Sequence, residues 1–550
     1  MTVNERAVLL AGKALWRRFD RVTHDPQKRQ EEFLLDLIRR NECTGFGRDH
    51  RFDLIRNVDE YRRRVPVGDY ERHRPYVERI KTGDLHALTA DAPFMFTTTS
   101  GTTGEPKLIP VTRASRRINT ALTRMWYYRA LVDHPTFLRG KLLGVVSPAV
   151  EGRTPGGVPF GSASGQTYRT SPWWVRRAYA VPYEVCEIED YDSRYYVLMR
   201  LAVEHRVSFF ATANPSTIVK LAETADSCKE EIIRHIHSGS IAGRLELSNA
   251  TRAKIASRLL PNPARAKELE RLAVQHETLR PTDYWSELQL IGCWQGGTAG
   301  VHLKKFDRWF APHTPIRDLG YLSSEAHVSL PIRDMRPEGI LGVQSNFYEF
   351  IPEAEINAAN PRTLLCHELQ EGVSYYVLLT TSSGLYRYDI NDVVKVAGFY
   401  NKTPVIEFLR KGRDVTSLTG EKVHVNQIMG AMEEARRAAG VALLYYKAIA
   451  DEERARYGFM IELDGALPDN ALLALFLDVL DRRLGELNIE YAQKRKSKRL
   501  GPPYLHIKPP GWFNKHRLSG DGAVRDSQFK ASLLSYKREE DDAALLRIEP

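Results

Sequence analysis

The chain has 550 residues, 43% of them hydrophobic and 27% charged. That mixture is ordinary for a globular protein and excludes a disordered chain, a collagen-like chain and a disulfide mini-scaffold. The 79 Lys and Arg outnumber the 69 Asp and Glu, leaving a formal charge of +10. This excess suits an anionic partner (nucleic acid, a membrane surface or a phosphorylated small molecule) without choosing among them.

The five cysteines, Cys43, Cys186, Cys228, Cys293 and Cys366, are widely spaced and form no CxxC pair. This pattern predicts a reducing compartment rather than a zinc knuckle or a disulfide framework. The N-terminal segment reads as an amphipathic helix with Leu9, Leu10, Trp16 and Phe19 as its apolar content, not as a signal peptide. No run reaches the roughly 18 apolar residues of a membrane span. The expectation is a cytoplasmic protein with no membrane partner.

Residues up to about 65 are arginine-rich and predicted helical. Short apolar runs then recur at 142–146, 207–211, 288–293, 375–381 and 393–399, with helical periodicity at 195–205 and 215–236. Continuous apolar strands alternating with helices predict an α/β fold with helix-covered mixed sheets. The stretch from 339 to 409 is denser in strands, and antiparallel or barrel-like pairing is expected there. Arg410-Lys411-Gly412-Arg413-Asp414 is a charged, Gly-containing turn after a strand-like run, and beyond it a compact α+β unit begins. In that unit, 442–450 and 459–463 read as strands. Leu472, Phe476, Val479, Leu480, Leu484 and Leu487 mark a helix face. The predicted organisation is a large N-terminal domain, 1–410, a hinge at 411–414 and a small mobile α+β domain, 415–550.

The segment Thr97-Thr98-Thr99-Ser100-Gly101-Thr102-Thr103-Gly104-Glu105-Pro106-Lys107 packs hydroxyls, two glycines and a lysine into one loop. Glycine lets backbone N–H groups approach an anion, hydroxyls donate to phosphate oxygens and lysine adds charge. It follows a Phe94-Met95-Phe96 strand, is expected to lead into a helix near Thr112, and does not fit GxxxxGK[ST]. Two later segments, Tyr321-Leu322-Ser323-Ser324-Glu325 and Gly384-Leu385-Tyr386-Arg387-Tyr388-Asp389-Ile390-Asn391-Asp392, each end a strand-like run on an acid. An acid so placed can hold Mg²⁺ near phosphates or accept from ribose hydroxyls; singly, each reads more simply as a surface acid or cap.

In this order the three segments resemble the adenylate-forming enzyme superfamily, and more narrowly its Gretchen Hagen branch, the acyl-acid amido synthetases first met as auxin-responsive gene products. The likeness extends to Val65-Pro66-Val67 with Tyr70, to 80–84, Thr154-Pro155-Gly156-Gly157, 285–310, 393–408, 487–502 and 527–530, covering roughly residues 30–535. Asn391 stands where the family usually has glycine. Ala326 and His327 follow Glu325 where glycine or cysteine is common, and Ser329 replaces a frequent glycine.

The resemblance implies a ligase that uses ATP and Mg²⁺ to adenylate a small carboxylic acid, releasing pyrophosphate, and then passes the acyl group to an amine, usually an amino acid. By the same resemblance Ser100, Gly101, Thr102, Thr103, Gly104 and Lys107 would embrace the β- and γ-phosphates. Glu325 would hold Mg²⁺, Ser324 would contact the α-phosphate, Tyr321 would lie against the adenine and Asp392 would take the ribose hydroxyls. Lys530 is the candidate for the C-terminal lysine that approaches the α-phosphate, with an exposed, solvated lysine as its plainer reading. Arg413-Asp414 is the candidate hinge, and Lys422 would then face the nucleotide. Arg124 and Tyr128, on a helix spanning 112–131, are candidate acyl-acid contacts, although a core helix with a solvated arginine is the stronger reading of that stripe.

The basic run Lys494-Arg495-Lys496-Ser497-Lys498-Arg499 invites a nucleic-acid partner. It lacks interleaved aromatics and any known motif, so a solvated connection is expected and nucleic acid is not. Gly161-Ser162-Ala163-Ser164-Gly165 has alanine where a GxSxG nucleophile would stand, and no HExxH occurs. The alternatives carried forward are a coenzyme A or carrier-thiol ligase of the same superfamily and a non-catalytic nucleotide-binding protein. A monomer is expected.

Overall fold

The computed structural model describes residues 3–99, 107–356, 358, 360–512, 533–536, 544 and 546–548. The chain forms two compact units. The first comprises 1–99 and 108–409, the second 100–107 and 410–550.

The first unit opens with helices α1 (Val3–Val22), α2 (Pro26–Arg40), α3 (Gly45–Asp49), α4 (Val58–Arg64) and α5 (Tyr70–Lys81). Their starts are written in the sequence: Asp25, Thr44, Asn57 and Asp69 cap α2 to α5 by accepting the backbone N–H of Lys28, Gly47, Glu60 and Glu71. On α1, Phe19 is buried, but Leu10 is 72% exposed and does not belong to the apolar face.

A sheet of order β2-β1-β5-β4 follows, formed by β1 (Met95–Thr99), β2 (Lys107–Val111), β4 (Gly152–Arg153) and β5 (Pro159–Gly161). The helix expected near Thr112 is α6 (Arg113–Asp133), with Thr112 as its N-cap, and the unforeseen strand β2 lies between it and the loop. Thr112 and Ser115 close a capping box at the start of α6, each accepting the other's backbone N–H at 3.1 Å.

Whereas the apolar runs at 375–381 and 393–399 fall in an antiparallel sheet, those at 142–146, 207–211 and 288–293 supply three strands of an all-parallel sheet of β3 (Lys141–Gly144), β6 (Val207–Ala211), β7 (Leu290–Gly292) and β8 (Ile316–Arg317), in that order. Its crossovers carry the helices Tyr191–Ala202, Pro215–Ser227 and Lys229–Ser238. The periodic stretch 215–236 is therefore two helices, because the backbone at Cys228 (φ −109°, ψ 17°) leaves the helical path.

The strand-dense stretch is a six-stranded sheet, β11-β12-β13-β14-β10-β9, built from β9 (Ser329–Leu330), β10 (Gly339–Leu341), β11 (Phe347–Pro352), β12 (Ser374–Thr380), β13 (Tyr388–Tyr400) and β14 (Thr403–Lys411). The pairs β11–β12, β12–β13, β10–β14 and β9–β10 are antiparallel. Its strands share one core with α2, α5 and β1.

The second unit begins with the two-stranded β15 (Val415–Thr416) and β16 (Val423–His424). A five-stranded sheet of order β20-β17-β18-β19-β21 follows, from β17 (Leu443–Asp451), β18 (Arg456–Leu463), β19 (Tyr504–Lys508), β20 (Leu534–Tyr536) and β21 (Leu546–Ile548). Helices Val425–Ala439, Asn470–Leu487 and Ile489–Lys496 accompany it. In Asn470–Leu487 the buried stripe is Leu473, Phe476, Leu477, Val479, Leu480 and Leu484, whereas Leu472 is 40% exposed, which shifts the expected face by one residue at its start. The basic run is not simply solvated. Arg495 is held by Asp481 at 2.6 Å, and Ser497 is buried. No described helix is long and apolar enough to cross a membrane.

Candidate functional site

Three segments of the first unit converge around the end of β1. Thr97 is buried in β1 and donates its hydroxyl to the Ser324 carbonyl at 3.4 Å. The Ser323 hydroxyl accepts the N–H groups of Glu325 and Ala326 at 3.2 Å, while Ser323 N–H donates to the Ala326 carbonyl at 2.9 Å. The result is a tight turn with Glu325, 9% exposed, at its tip. Tyr321 N–H donates to the Ser329 hydroxyl at 3.0 Å. Serine in place of the family's frequent glycine thus adds a tie that fixes Tyr321.

Asp392 reaches the same place by a bulge. Between the pairs Leu378↔Asp389 and Tyr376↔Val393, β12 advances by two residues and β13 by four. Such an insertion bends a strand and re-aims its side chains. Asn391 sits inside it at φ +56°. Asparagine tolerates the left-handed region better than most residues, so it can serve where the family places glycine. Asn391 N–H also donates to Asp389 Oδ1 at 2.8 Å. The bulge delivers the Asp392 carboxylate, 2% exposed, to the Tyr321 hydroxyl, which donates to Oδ2 at 2.6 Å. Burial first, and then the Asp392 charge, push the Tyr321 phenol well above its ordinary pKa. The Tyr321 ring lies 5.5 Å from that of Phe408 on β14.

The segment 384–392 is anchored by groups that sequence reasoning passed over. Arg387 is 6% exposed and grips Glu349, itself 1% exposed, with Nε to Oε2 at 2.8 Å and Nη2 to Oε1 at 3.0 Å. Its Nη1 donates to the carbonyls of Arg62 and Val65. His73, fully buried, donates Nδ1–H to the Asp69 carbonyl and accepts Tyr386 N–H at Nε2, both at 3.0 Å. Burial lowers its pKa to about 4, so the ring is neutral. Gly68 exchanges backbone hydrogen bonds with Arg387 and Asp389, joining the 65–70 segment to this motif. At Gly384 (φ +94°) a Cβ would meet Leu88 Cβ at 2.7 Å, a close approach only glycine allows.

Lys107, partly buried, is the first residue of β2. Ser100, Gly101, Thr102, Thr103, Gly104 and Lys530 lie outside the described residues. Arg124 is exposed, and Tyr128 packs against α1, where a Cβ on Gly12 would lie 2.3 Å from Tyr128 Cβ. The buried side of α6 is Leu122, Met125, Trp126, Ala130 and Leu131.

In the second unit Arg413 and Asp414 are exposed, Asp414 at φ +56°, and Lys422 adopts φ +47°. The loop leading to Lys422 is shaped by Glu421, which is fully buried. Its carboxylate accepts from Leu418 N–H at 2.6 Å, Thr419 N–H at 2.8 Å and the Tyr457 hydroxyl at 2.7 Å.

Comparison with known proteins gives this geometry a context. The GH3 family N-terminal domain matches residues 15–316, its central domain 339–411 and its C-terminal domain 426–539. The chain is 24% identical to the indole-3-acetic acid-amido synthetase GH3.4 of Arabidopsis thaliana, covering 90% of this chain and 87% of that protein. It is 26% identical to the jasmonoyl–L-amino acid synthetase GH3.5 of Oryza sativa subsp. japonica, covering 93% of each. The solved structure of the GH3.15 acyl acid amido synthetase superposes with a TM-score of 0.65 at 20% identity, covering 95% of this chain and 93% of that one. That likeness agrees with the α/β fold read from the sequence. With family domains matched along most of its length, the chain belongs to the GH3 family.

Proposed function

We propose that the chain is an ATP-dependent acid–amino acid ligase acting through an acyl-adenylate. The observation that carries this reading is the convergence of Thr97, Tyr321, Glu325 and Asp392 within a GH3-family fold. The relatives named as amido synthetases support the reaction class. The reading commits to a small carboxylic acid and an amino acid as substrate classes, and to no member of either.

In the first step a carboxylate oxygen attacks the α-phosphorus of ATP, the bond to the bridging oxygen breaks and pyrophosphate leaves. In the second the amine nitrogen attacks the acyl carbon, gives up a proton, and AMP departs with its oxygen. A free carboxylate resists this attack because it is anionic and its leaving group would be oxide; AMP removes both obstacles. What the protein adds is positioning and charge neutralisation. Asp392, oriented by Tyr321, takes the ribose hydroxyls, and the Tyr321 ring lies against the adenine. Ser324 contacts the α-phosphate. By the family resemblance, residues 100–104 with Lys107 would hold the outer phosphates, and Lys530 and Lys422 are the further lysines assigned to the nucleotide.

The described residues fit a Mg²⁺ shared with substrate phosphates. Glu325 is a largely buried hard-oxygen donor, and among the described residues no group of three or more His, Cys, Asp or Glu could hold a metal by itself. When bound, the ion neutralises phosphate charge. Residues 411–414 act as the hinge between half-reactions, a motion that a few terminal residues can absorb. Five free thiols support a reducing, cytoplasmic setting.

The test is incubation with ATP, a panel of carboxylic acids, and amino acids or coenzyme A, with products identified by mass. Amides with release of AMP and pyrophosphate are expected. Thioesters would favour the thiol ligase, and no pyrophosphate with any acid would favour a nucleotide-binding protein without chemistry.

A further inference from the structure

Asp318 follows β8, is 3% exposed, and is surrounded by backbone donors. Its Oδ2 accepts Gln295 N–H at 2.6 Å and its Oδ1 accepts Gly320 N–H at 2.7 Å. The N–H of Gly296 also favours its charged form. These donors belong to two different segments, the loop after β7 and the segment that runs into Tyr321 and Glu325. Trp294 adds a parallel tie, its indole N–H donating to the Gly320 carbonyl at 3.1 Å. From a third direction Trp126 of α6 donates to the Asp318 carbonyl at 2.7 Å.

The loop after β7 has little room to relax. A Cβ on Gly297 (φ +57°) would lie 2.7 Å from the Leu409 carbonyl oxygen, and one on Gly296 would lie 2.9 Å from that of Phe408. Its other side therefore rests on the end of β14, the strand whose Phe408 faces Tyr321. Burial pushes the Asp318 carboxyl up to about 7 despite its amide donors, with Glu338 adding to the rise and Cys293 the other titratable neighbour. A carboxylate in so costly a place is sustained only by the contacts it organises.

We propose that Asp318 is a positioning residue for adenylation, holding the 294–297 loop and the 320–325 segment in one register so that Tyr321 and Glu325 meet the nucleotide together. This rests on the function proposed above. Asparagine at 318 keeps the shape but turns an amide N–H₂ toward one of the backbone donors, so the two segments separate. The Trp126 bond goes to the main-chain carbonyl and survives, so the α6 side is spared.

The experiment measures acid-dependent pyrophosphate release by the full-length protein under single-turnover conditions. The probes are indole-3-acetic, benzoic and octanoic acids with MgATP, normalised to folded protein. Asp318→Asn is expected to lower kcat/KM for ATP by about a hundredfold, the usual scale for a displacement of about 1 Å, with KM for the acid within about twofold of wild type. Trp294→Phe, at a half-buried position, is expected to shift the same parameter the same way by roughly three- to tenfold, the scale of one hydrogen bond. An Asp318→Asn protein that melts earlier but keeps wild-type kcat/KM for ATP overturns the inference, because that is the signature of a purely structural carboxylate. If Asp318→Asn fails to fold, an unchanged Trp294→Phe overturns it instead. A wild type that releases no pyrophosphate with any acid sinks the proposed function itself; an active wild type with unaffected variants sinks only the role of Asp318.

Discussion

The Tyr321 hydroxyl donates to the Asp392 carboxylate at 2.6 Å, joining residues 71 positions apart in a buried setting. A hydrogen bond to a charged acceptor contributes about 1.5–3 kcal/mol. Tyr321→Phe keeps the ring against Phe408 and removes only this donor. It is expected to raise KM for ATP by roughly tenfold or more. Titration of ATP against pyrophosphate release checks this, and an unchanged KM would mean that Asp392 needs no such orientation.

Glu325→Gln preserves size and leaves the main-chain turn with Ser323 intact. The amide is a poor ligand for a hard cation. Acid-dependent pyrophosphate formation is expected to fall by at least about a hundredfold, the scale set by losing one charge-stabilising group in a transition state, while the melting temperature stays near wild type. A near-normal rate would refute the metal role.

The Arg387–Glu349 pair is buried on both sides. Removing one partner of such a pair costs about 3–5 kcal/mol, because the other charge is stranded. Arg387→Met is expected to destabilise the protein by that order. The double change Arg387→Met with Glu349→Leu should recover part of the loss, since Arg62, the other partner of Glu349, is 23% exposed and can turn to water. Urea denaturation of the three proteins decides the matter, and a double variant worse than the single one would contradict it.

His73 carries a pH dependence whose sign follows from its bonds. Its folded pKa is lowered to about 4 from 6.5, because burial disfavours the charged ring, and the neutral ring accepts Tyr386 N–H. Its contribution to stability is therefore complete above pH 6.5 and is lost as pH falls to about 4. Between those two values the loss runs at about 1.4 kcal/mol for each pH unit. Melting curves across this range should show it, and His73→Gln, which cannot titrate, should flatten it. Equal acid slopes in both proteins would assign the effect elsewhere.

Asp414 stands at φ +56°, where proline, fixed near −65°, cannot. Asp414→Pro is expected to slow amide formation more than adenylation, whereas Asp414→Gly should leave both within about twofold, since glycine adopts positive φ freely. Separate assays of pyrophosphate release and amide yield read the difference. Equal loss in both half-reactions would remove 411–414 as the hinge.

Much of this molecule was legible in advance where local pattern decides structure. Val207–Ala211 is apolar at nearly every position and became a central parallel strand with its bounds intact. The acids at 325 and 392 could be singled out because their flanking motifs are dense. What escaped was long-range. Nothing beside Arg387 announces that its partner is Glu349 on β11, or that Tyr128 faces Gly12 of α1. Nothing in the sequence around Asp318 announces that the amides of 295 and 320 share its carboxylate. Strand β2 was hidden by Pro110 within KLIPV, which argues against a central strand by itself but suits the edge position that β2 occupies.

That edge strand has a consequence for ionic conditions. The partial positive charge at the start of α6 falls after β2, where Thr112 and Ser115 already cap it, so the segment after β1 does not open directly onto a helix macrodipole. On the function proposed above, capture of an anion by residues 100–107 would rely on hydroxyls, backbone amides and Lys107. Attraction by discrete cations such as Lys107 weakens as salt is added. Nucleotide affinity should accordingly be more sensitive to added salt than in a protein that seats its phosphates on the first turn of a helix.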